Sequence, residues 1–347
     1  MTAALEHAVD PDLDEPAPQG RRPFVSIVVP AYNEALILMQ SLTVLYDYLV
    51  ALSDEYEWEI VVVNDGSQDE TGDIANAFAK TRPEVRVLHH AVNFRLGQAL
   101  RYAFNTCRGD YVVTIDCDLS YAPEHIGRLL QSLRDDHAKI AVASPYMKGG
   151  HTTGIPLSRR VLSRGANRFL SAASGGHLST LTGMVRAYDR PFLSSLSLRA
   201  MGTDINTEII YKARMLHARI VEVPAHLDWS FASTGGARRR VDGRLPGATV
   251  SSLFTAFLFR PFLCFVLPGL VLLAVAAGCL GYALVEDATT STWVVGSGAA
   301  VAAVVLVALG VLAAQAKRYF EELYHLGTTV LRRSPRRVPT ADEIAGE

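Results

Sequence analysis

Cysteine is scarce. The 347 residues hold four, Cys107, Cys117, Cys264 and Cys279, none at zinc-ligand spacing, so neither a disulfide framework nor a structural zinc is implied. Two common phosphate cradles are also missing. No G-x-G-x-x-G opens a helix after the first apolar run, and no G-x-x-x-x-G-K-[ST] occurs anywhere, so a bound diphosphate would need another source of positive charge. A strong excess of one charge is absent too: 33 Lys and Arg stand against 35 Asp and Glu, a formal charge of −2, which argues against a general nucleic-acid binder. The first residues lack a signal-peptide pattern; residues 1–22, rich in Pro, Asp and Glu, read as a disordered tail.

What is present includes two long apolar runs, Phe262 to Val285 and Trp293 to Ala316, each about 24 residues and long enough to span a bilayer. Arg238, Arg239, Arg240, Arg244 and Arg260 precede them. Lys317, Arg318, Arg332, Arg333, Arg336 and Arg337 follow, whereas the connection between the runs carries Glu286 and Asp287 and no base. The positive-inside rule then places both flanks, and both termini, in the cytoplasm, as expected of a multi-pass protein of the cell membrane. The expected organisation is a tail (1–22), a cytoplasmic domain (23–247), an interfacial segment with the hairpin (248–316) and a basic tail (317–347). Small residues in "GSGAAVAA" (296–303) permit close helix packing and leave a homo-oligomer open.

From residue 24 onward, short apolar runs alternate with helix-length segments: "FVSIVV" (24–29), "WEIVVV" (58–63), "VRVLHH" (85–90) and "YVVTID" (111–116). This alternation predicts an α/β fold with a mainly parallel, doubly wound sheet. Ser67 and Glu70 have capping-box spacing, which predicts a helix starting just after Ser67. Ligands of such sheets bind beyond the carboxyl ends of the strands. Here "PAYNE" (30–34), "NDGS" (64–67) and "DCDLS" (116–120) all follow strands, so the acids collect at one edge.

"VVTIDCDLS" (112–120) is the sharpest feature. On a strand, Asp116 and Asp118 would project the same way and Cys117 oppositely. Two residues of rise separate the carboxylates by roughly 6–7 Å, a repulsion of about 2–3 kcal/mol at an effective dielectric near 20. A divalent cation with oxygen ligands, Mg²⁺ or Mn²⁺, would turn it into attraction. Further along, residues 157–173 read as helical and "LTGMVRAYDR" (181–190) as a strand entering a turn. A helix follows with Asp204 and Glu208 four apart on one face, then the strand "RIVEVP" (219–224).

Taken together, "VPAYNE", "VVVNDGSQDET", "NFRLGQALRYAFNTCRGDYVVTIDCDLSYAPE" and "TGMVRAYDR" resemble, in order, the motifs of family 2 glycosyltransferases of GT-A fold, most closely the branch that makes polyprenyl-phosphate sugars, dolichyl-phosphate mannose synthases among them. The resemblance spans roughly residues 24–229. It implies a GT-A domain within residues 23–247, with Pro30, Tyr32, Glu34 and Asp65 lining the nucleobase and ribose pocket and Asp116 and Asp118 binding metal. Glu208 would lie near the acceptor or the donor sugar. Asp118, Glu208 and Asp204 are the catalytic candidates. The implied reaction is an inverting, metal-dependent transfer of one sugar, mannose or glucose, from a GDP- or UDP-sugar to polyprenyl phosphate.

Three positions depart from the family pattern. Pro145 stands where an Arg is common after the fifth strand, Ser230 stands where a second Arg is expected, and Ser120 replaces a frequent Gln. Lys148 and Arg238, Arg239 and Arg240 are the candidates to meet the acceptor phosphate instead. A hydroxyl acceptor is the alternative, with Glu208 or Asp204 as base. Processive polysaccharide synthesis lacks its Gln-x-x-Arg-Trp motif, and a haloacid-dehalogenase-like phosphatase lacks a later Gly-Asp-x-x-x-Asp. A scaffold that had lost catalysis would not need Asp65, Asp116 and Asp118.

Overall fold

The structure, a computed structural model, describes residues 21–156, 160, 161, 163–165, 167, 168, 171, 178–229, 265–285 and 289–333. Its first half is a run of β/α units: β1 (Phe24–Ala31), α1 (Ala35–Ala51), β2 (Glu57–Asn64), α2 (Thr71–Ala79), β3 (Val85–His89), α3 (Leu96–Thr106), β4 (Tyr111–Thr114), α4 (Glu124–Asp135) and β5 (Ile140–Ser144). The second half is less regular. It holds β6 (His151–Thr153), β7 (Arg186–Asp189), α5 (Arg190–Ser195), α6 (Ile205–Met215), β8 (Ile220–Pro224) and β9 (His226–Asp228). Two long helices follow, α7 (Leu267–Val285) and α8 (Thr290–Arg333).

Seven strands form one sheet in the order β3-β2-β1-β4-β7-β5-β8. All neighbours are parallel except β7, which runs antiparallel to β4 and β5. A parallel sheet needs helices on both faces, and the strands accordingly read as continuous apolar runs. Alternation sorts them. Val25, Ile27, Val29, Ile60 and Val62 join Leu38, Leu42, Leu45 and Phe78 in one core, while Val28, Val61 and Val63 join Leu100, Phe104, Ile205 and Ile209 in the other. β6 and β9 form a separate two-stranded ribbon.

Four boundaries differ from expectation. The helix after β2 starts at Thr71, not beside Ser67. The Ser67 amide donates to Asn64 Oδ1 and its hydroxyl accepts from the Asn33 amide, so the side chain joins two loops instead of capping a helix. β4 stops at Thr114, two residues before Asp116, and the strand predicted from residue 181 forms only at Arg186. α8 continues to Arg333, so residues 317–333, expected as a tail, extend the second apolar helix. Of residues 157–173, the described positions 160, 161, 163–165, 167, 168 and 171 are helical. Arg238–Arg240, Ser230, Glu286, Asp287 and residues 248–261 lie outside the described residues.

Leu267–Val285 (mean hydropathy 2.1) and Thr290–Tyr319 (2.4) are long and apolar enough to cross a membrane. They lie against each other, with Ala276, Ala283 and Ala303 buried.

At the amino-terminal end of the sheet sits a buried acid, Glu59. It accepts from Ser26 Oγ (2.7 Å), Arg86 Nε (2.8 Å) and the Arg108 amide (3.0 Å), joining β1, β2, β3 and the loop into β4. Burial alone would raise its pKa, but the bonds from Arg86, Ser26 and Arg108 outweigh it and the net shift is downward. A carboxylate with a lowered folded pKa adds stability that is present above its unfolded value and is lost as pH falls through the folded one. Glu59→Gln is therefore expected to lower stability by about 1–3 kcal/mol at neutral pH. In thermal inactivation of the full chain in detergent, the variant should also lose less than wild type as pH drops below the ordinary glutamate value of 4.5.

Candidate active site

Parallel registers place Ala31 opposite Asn64 and Val28 opposite Thr114, so the chain leaves β1, β2 and β4 at the same edge. The first two loops then satisfy each other. The Asn33 amide donates to Ser67 Oγ (3.0 Å), the Gln68 amide to Asn33 Oδ1 (2.8 Å), the Glu34 amide to Thr71 Oγ1 (2.8 Å) and the Ala35 amide to Asp69 Oδ2 (3.2 Å). α1 has no side-chain cap of its own, and these bonds supply its first donors with partners. The "PAYNE" loop is thus held on "NDGSQDET". Tyr32 at its tip stays 42% exposed.

Asp65 is buried, and its Oδ1 accepts from His90 Nδ1 (2.7 Å) and from the Phe94 amide (3.0 Å). The His90 ring stacks on Tyr102 (5.2 Å, 22°) and meets Phe94 edge-on. Gly66 is required between them: its φ is 66°, and an added Cβ would lie 2.2 Å from the Val92 carbonyl carbon. Asp65 therefore organises the loop after β3, and Phe94 brings a second exposed ring to the same edge. The motifs alone do not mark His90, Phe94 or Tyr102; their sequence signal is two aromatics close after a His that follows a strand.

Beyond β4 the backbone turns. The Leu119 amide donates to the Asp116 carbonyl (3.1 Å), Leu119 has φ 47°, and Asp118 Oδ1 accepts from the Ser120 amide (3.0 Å). Strand alternation thus ends before the acids, yet the burial it predicted persists. Asp116 and Asp118 are half-buried, whereas Cys117 is 5% exposed and belongs to the core. Burial raises the Cys117 thiol pKa, and the charges of Glu34, Asp118 and Asp116 raise it further. The loops after β1 and β4 thus bring their acids to the same edge of the sheet.

Glu208 and Asp204 serve a different segment. Glu208 accepts from the Arg199 amide (3.0 Å), the Ala200 amide (2.8 Å) and Lys212 Nζ (2.5 Å). Asp204 is the residue before α6, and its Oδ1 accepts from the Gly202 amide (3.1 Å). Both carboxylates hold the 199–202 loop. Its Met201 carbonyl in turn accepts from the Gly97 amide (2.8 Å) at the start of α3. Lys148 is exposed on the loop after β5, and Pro145 is buried. Arg186, which sequence reasoning passed over, is fully buried on β7; its guanidinium donates to the carbonyls of Asn206 (2.6 Å) and Leu181 (2.5 Å). Its sequence signal was a base inside an apolar strand.

The mostly parallel α/β sheet is of GT-A type, with polar loops at its carboxyl edge, and two apolar helices follow it along the chain. The family model for glycosyl transferase family 2 matches residues 26–196, and the chain belongs to that family. It is 32% identical over 206 residues to an undecaprenyl-phosphate mannosyltransferase of Micrococcus luteus, covering 58% of this chain and 82% of that protein. A polyprenol monophosphomannose synthase of Mycolicibacterium smegmatis is 32% identical over 205 residues, 57% of this chain and 75% of that one. For a dolichol-phosphate mannosyltransferase of Pyrococcus furiosus the identity is 29% over 229 residues, 65% of this chain but 60% of the relative's length. Among solved structures, a glucosyl-3-phosphoglycerate synthase of Mycobacterium tuberculosis with UDP shares the fold at TM-score 0.50 and 22% identity, covering 68% of this chain and 80% of that one.

Gly97 offers a test of the loop geometry. A Cβ there would meet the Ala200 carbonyl oxygen at 2.4 Å, backbone against backbone. Gly97→Ala is expected to cost about 1–3 kcal/mol and to loosen the 199–202 loop. Faster hydrogen exchange at residues 199–202 would check it.

Proposed function

We propose that this chain is a membrane-anchored, inverting glycosyltransferase that moves one sugar from a nucleotide-sugar to polyprenyl phosphate. The observation that carries the reading is that parallel pairing of β1 with β2 and with β4 brings the loops bearing Glu34, Asp65 and Asp116–Asp118 to one edge of the sheet. The names of the relatives point to the lipid-phosphate acceptor and favour mannose. A GDP- or UDP-sugar is the proposed donor. In this reading residues 23–247 form the catalytic domain, 248–316 an interfacial segment and hairpin, 1–22 an amino-terminal tail and 317–347 a basic segment whose part up to Arg333 continues α8. The basic flanks support the cytoplasmic side for both termini.

Asp116 and Asp118 are the proposed metal ligands. Both are half-buried carboxylates within one turn, an all-oxygen set suited to Mg²⁺ or Mn²⁺. Among the described residues no group of three His, Cys, Asp or Glu side chains is placed to hold a metal by itself, so the remaining ligands would come from the donor diphosphate and water. When bound, the cation would offset negative charge growing on the departing diphosphate. The chain's own residues orient the reactants. Pro30, Tyr32 and Glu34 would form the base and ribose side, with Phe94 as a second ring; Asp65 would fix the wall behind them through His90 and the Phe94 amide. Lys148 and Arg238, Arg239 and Arg240 would meet the acceptor phosphate.

A lipid phosphate is already anionic at neutral pH, so it attacks the anomeric carbon without a strong base. The environment of Glu208 suits this. Its carboxylate is engaged by two amides and Lys212, an arrangement that favours a loop anchor over a base for a hydroxyl acceptor.

Two measurements test the reading. Membranes holding the full chain, incubated with labelled GDP-mannose, GDP-glucose, UDP-glucose and polyprenyl phosphate, should form labelled lipid with one donor. Asp118→Ala should reduce that product roughly 100-fold or more, whereas full activity in the variant would overturn the metal role. Glu208→Gln should retain activity within about tenfold and keep the wild-type pH dependence, because it removes a loop contact and no proton acceptor. A loss of roughly 100-fold or more, with the residual rate no longer falling at acid pH, would favour the hydroxyl acceptor.

A further inference from the structure

The imidazole of His125 joins the turn after the Asp116–Asp118 loop to the last described strand before the apolar helices. His125 lies near the start of α4, 4% exposed. Its Nδ1 donates to the Ala122 carbonyl (2.8 Å), which leaves Nε2 to accept from the backbone amide of His226 on β9 (3.0 Å). Two backbone contacts lie alongside. The Asp228 amide donates to the Ser120 carbonyl (2.8 Å), and Tyr121 forms an isolated antiparallel bridge with Leu227. Residues 120–125 and 226–228 are thus zipped together, and only the ring requires a particular protonation state, since a charged imidazole would present a second donor to an amide.

The groups facing this ring are few. Glu124 and Arg128 lie on its own helix, and the Tyr121 ring meets it edge-on at 5.9 Å. From β9 comes His226, whose ring stacks on His151 of β6 at 4.0 Å and 17°, and whose Nε2 pairs with Thr153 Oγ1 at 2.8 Å. His125, His226 and His151 are thus linked by one backbone bond and one ring stack, and the proposed chemistry uses none of the three rings.

We infer that neutral His125 is a positioning residue: by bridging the Ala122 carbonyl and the His226 amide, it holds the Asp118–Ser120 turn against the ribbon from which the chain leads to its membrane helices. The inference rests on the proposed transfer for its catalytic consequence, but the linkage itself does not. Burial lowers the His125 pKa, the carbonyl bond opposes that, and Arg128 adds to it. With a lowered folded pKa, the neutral ring's contribution is fully present above the unfolded histidine value and is lost as pH falls below it toward the folded one.

The test compares His125→Gln, whose amide offers one donor and one acceptor with no titration, and His125→Leu, which offers neither. Both are made in the full chain in detergent. Hydrogen exchange at residues 118–123 and 226–228 reads the linkage without any substrate. Exchange in His125→Leu should be about tenfold faster than wild type, and in His125→Gln close to wild type. Wild type should lose protection between about pH 7 and 5, with the glutamine variant unchanged over that range. For transfer to polyprenyl phosphate, kcat should fall about tenfold in His125→Leu with acceptor KM within about threefold, and the acid limb of the wild-type profile should be absent from His125→Gln. Unchanged exchange in His125→Leu, or a wild-type acid limb in His125→Gln, overturns the inference. Should wild type transfer no sugar to polyprenyl phosphate, the acceptor reading fails on its own, and exchange still decides the linkage.

Discussion

Parallel pairing of β1 with β2 and with β4 is the constraint on which the site depends. Strands that run the same way must end on the same side, so three separate loops are delivered to one edge. Their backbone donors then lie too far from strand partners and are satisfied by one another. Asn33, Glu34 and Ala35 bond the "NDGSQDET" loop, and the Phe94 amide bonds Asp65. The edge is consequently stiff where a donor would sit, without a glycine-rich cradle.

Acids play two distinct parts in this fold. Glu59, at the opposite end, is buried and compensated by Arg86, Ser26 and the Arg108 amide, and it fastens strands. Glu34, Asp116 and Asp118 are half-buried and lie on loops that leave β1 and β4 at the carboxyl edge. The energetic difference is one of burial. A fully desolvated carboxylate must find cations or donors within the fold, whereas a half-buried one keeps part of its hydration as well.

The ribbon β6–β9 lies between these two worlds. It bonds the acidic turn through Ser120, Tyr121 and His125, and it is the last described structure before the apolar helices. α8 runs about 65 Å as one helix, well beyond the length a bilayer core requires. Its extension past Tyr319 carries on where a tail was expected.

The α/β alternation, the edge at which the acids gather, the two apolar spans and the family were all legible in the chain, because periodicity and motif order are local properties. Cys117 turning inward between two acids was legible for the same reason. What the chain left undecided involved partners distant in sequence. Ser67 had the spacing of a cap, but Asn33, 34 residues away, claims its hydroxyl. Glu208 is a catalytic candidate by sequence, and which backbone groups its carboxylate meets, the Arg199 and Ala200 amides, is set by the fold of the preceding loop. The amino-acid order by itself determined that the apolar runs near residues 24–29, 58–63, 85–89 and 111–114 are strands and that acids follow three of them. Only the tertiary structure decided which of those acids hold the fold and which gather at the open edge, because a side chain's partners across the sheet are set by strand order and not by position along the chain.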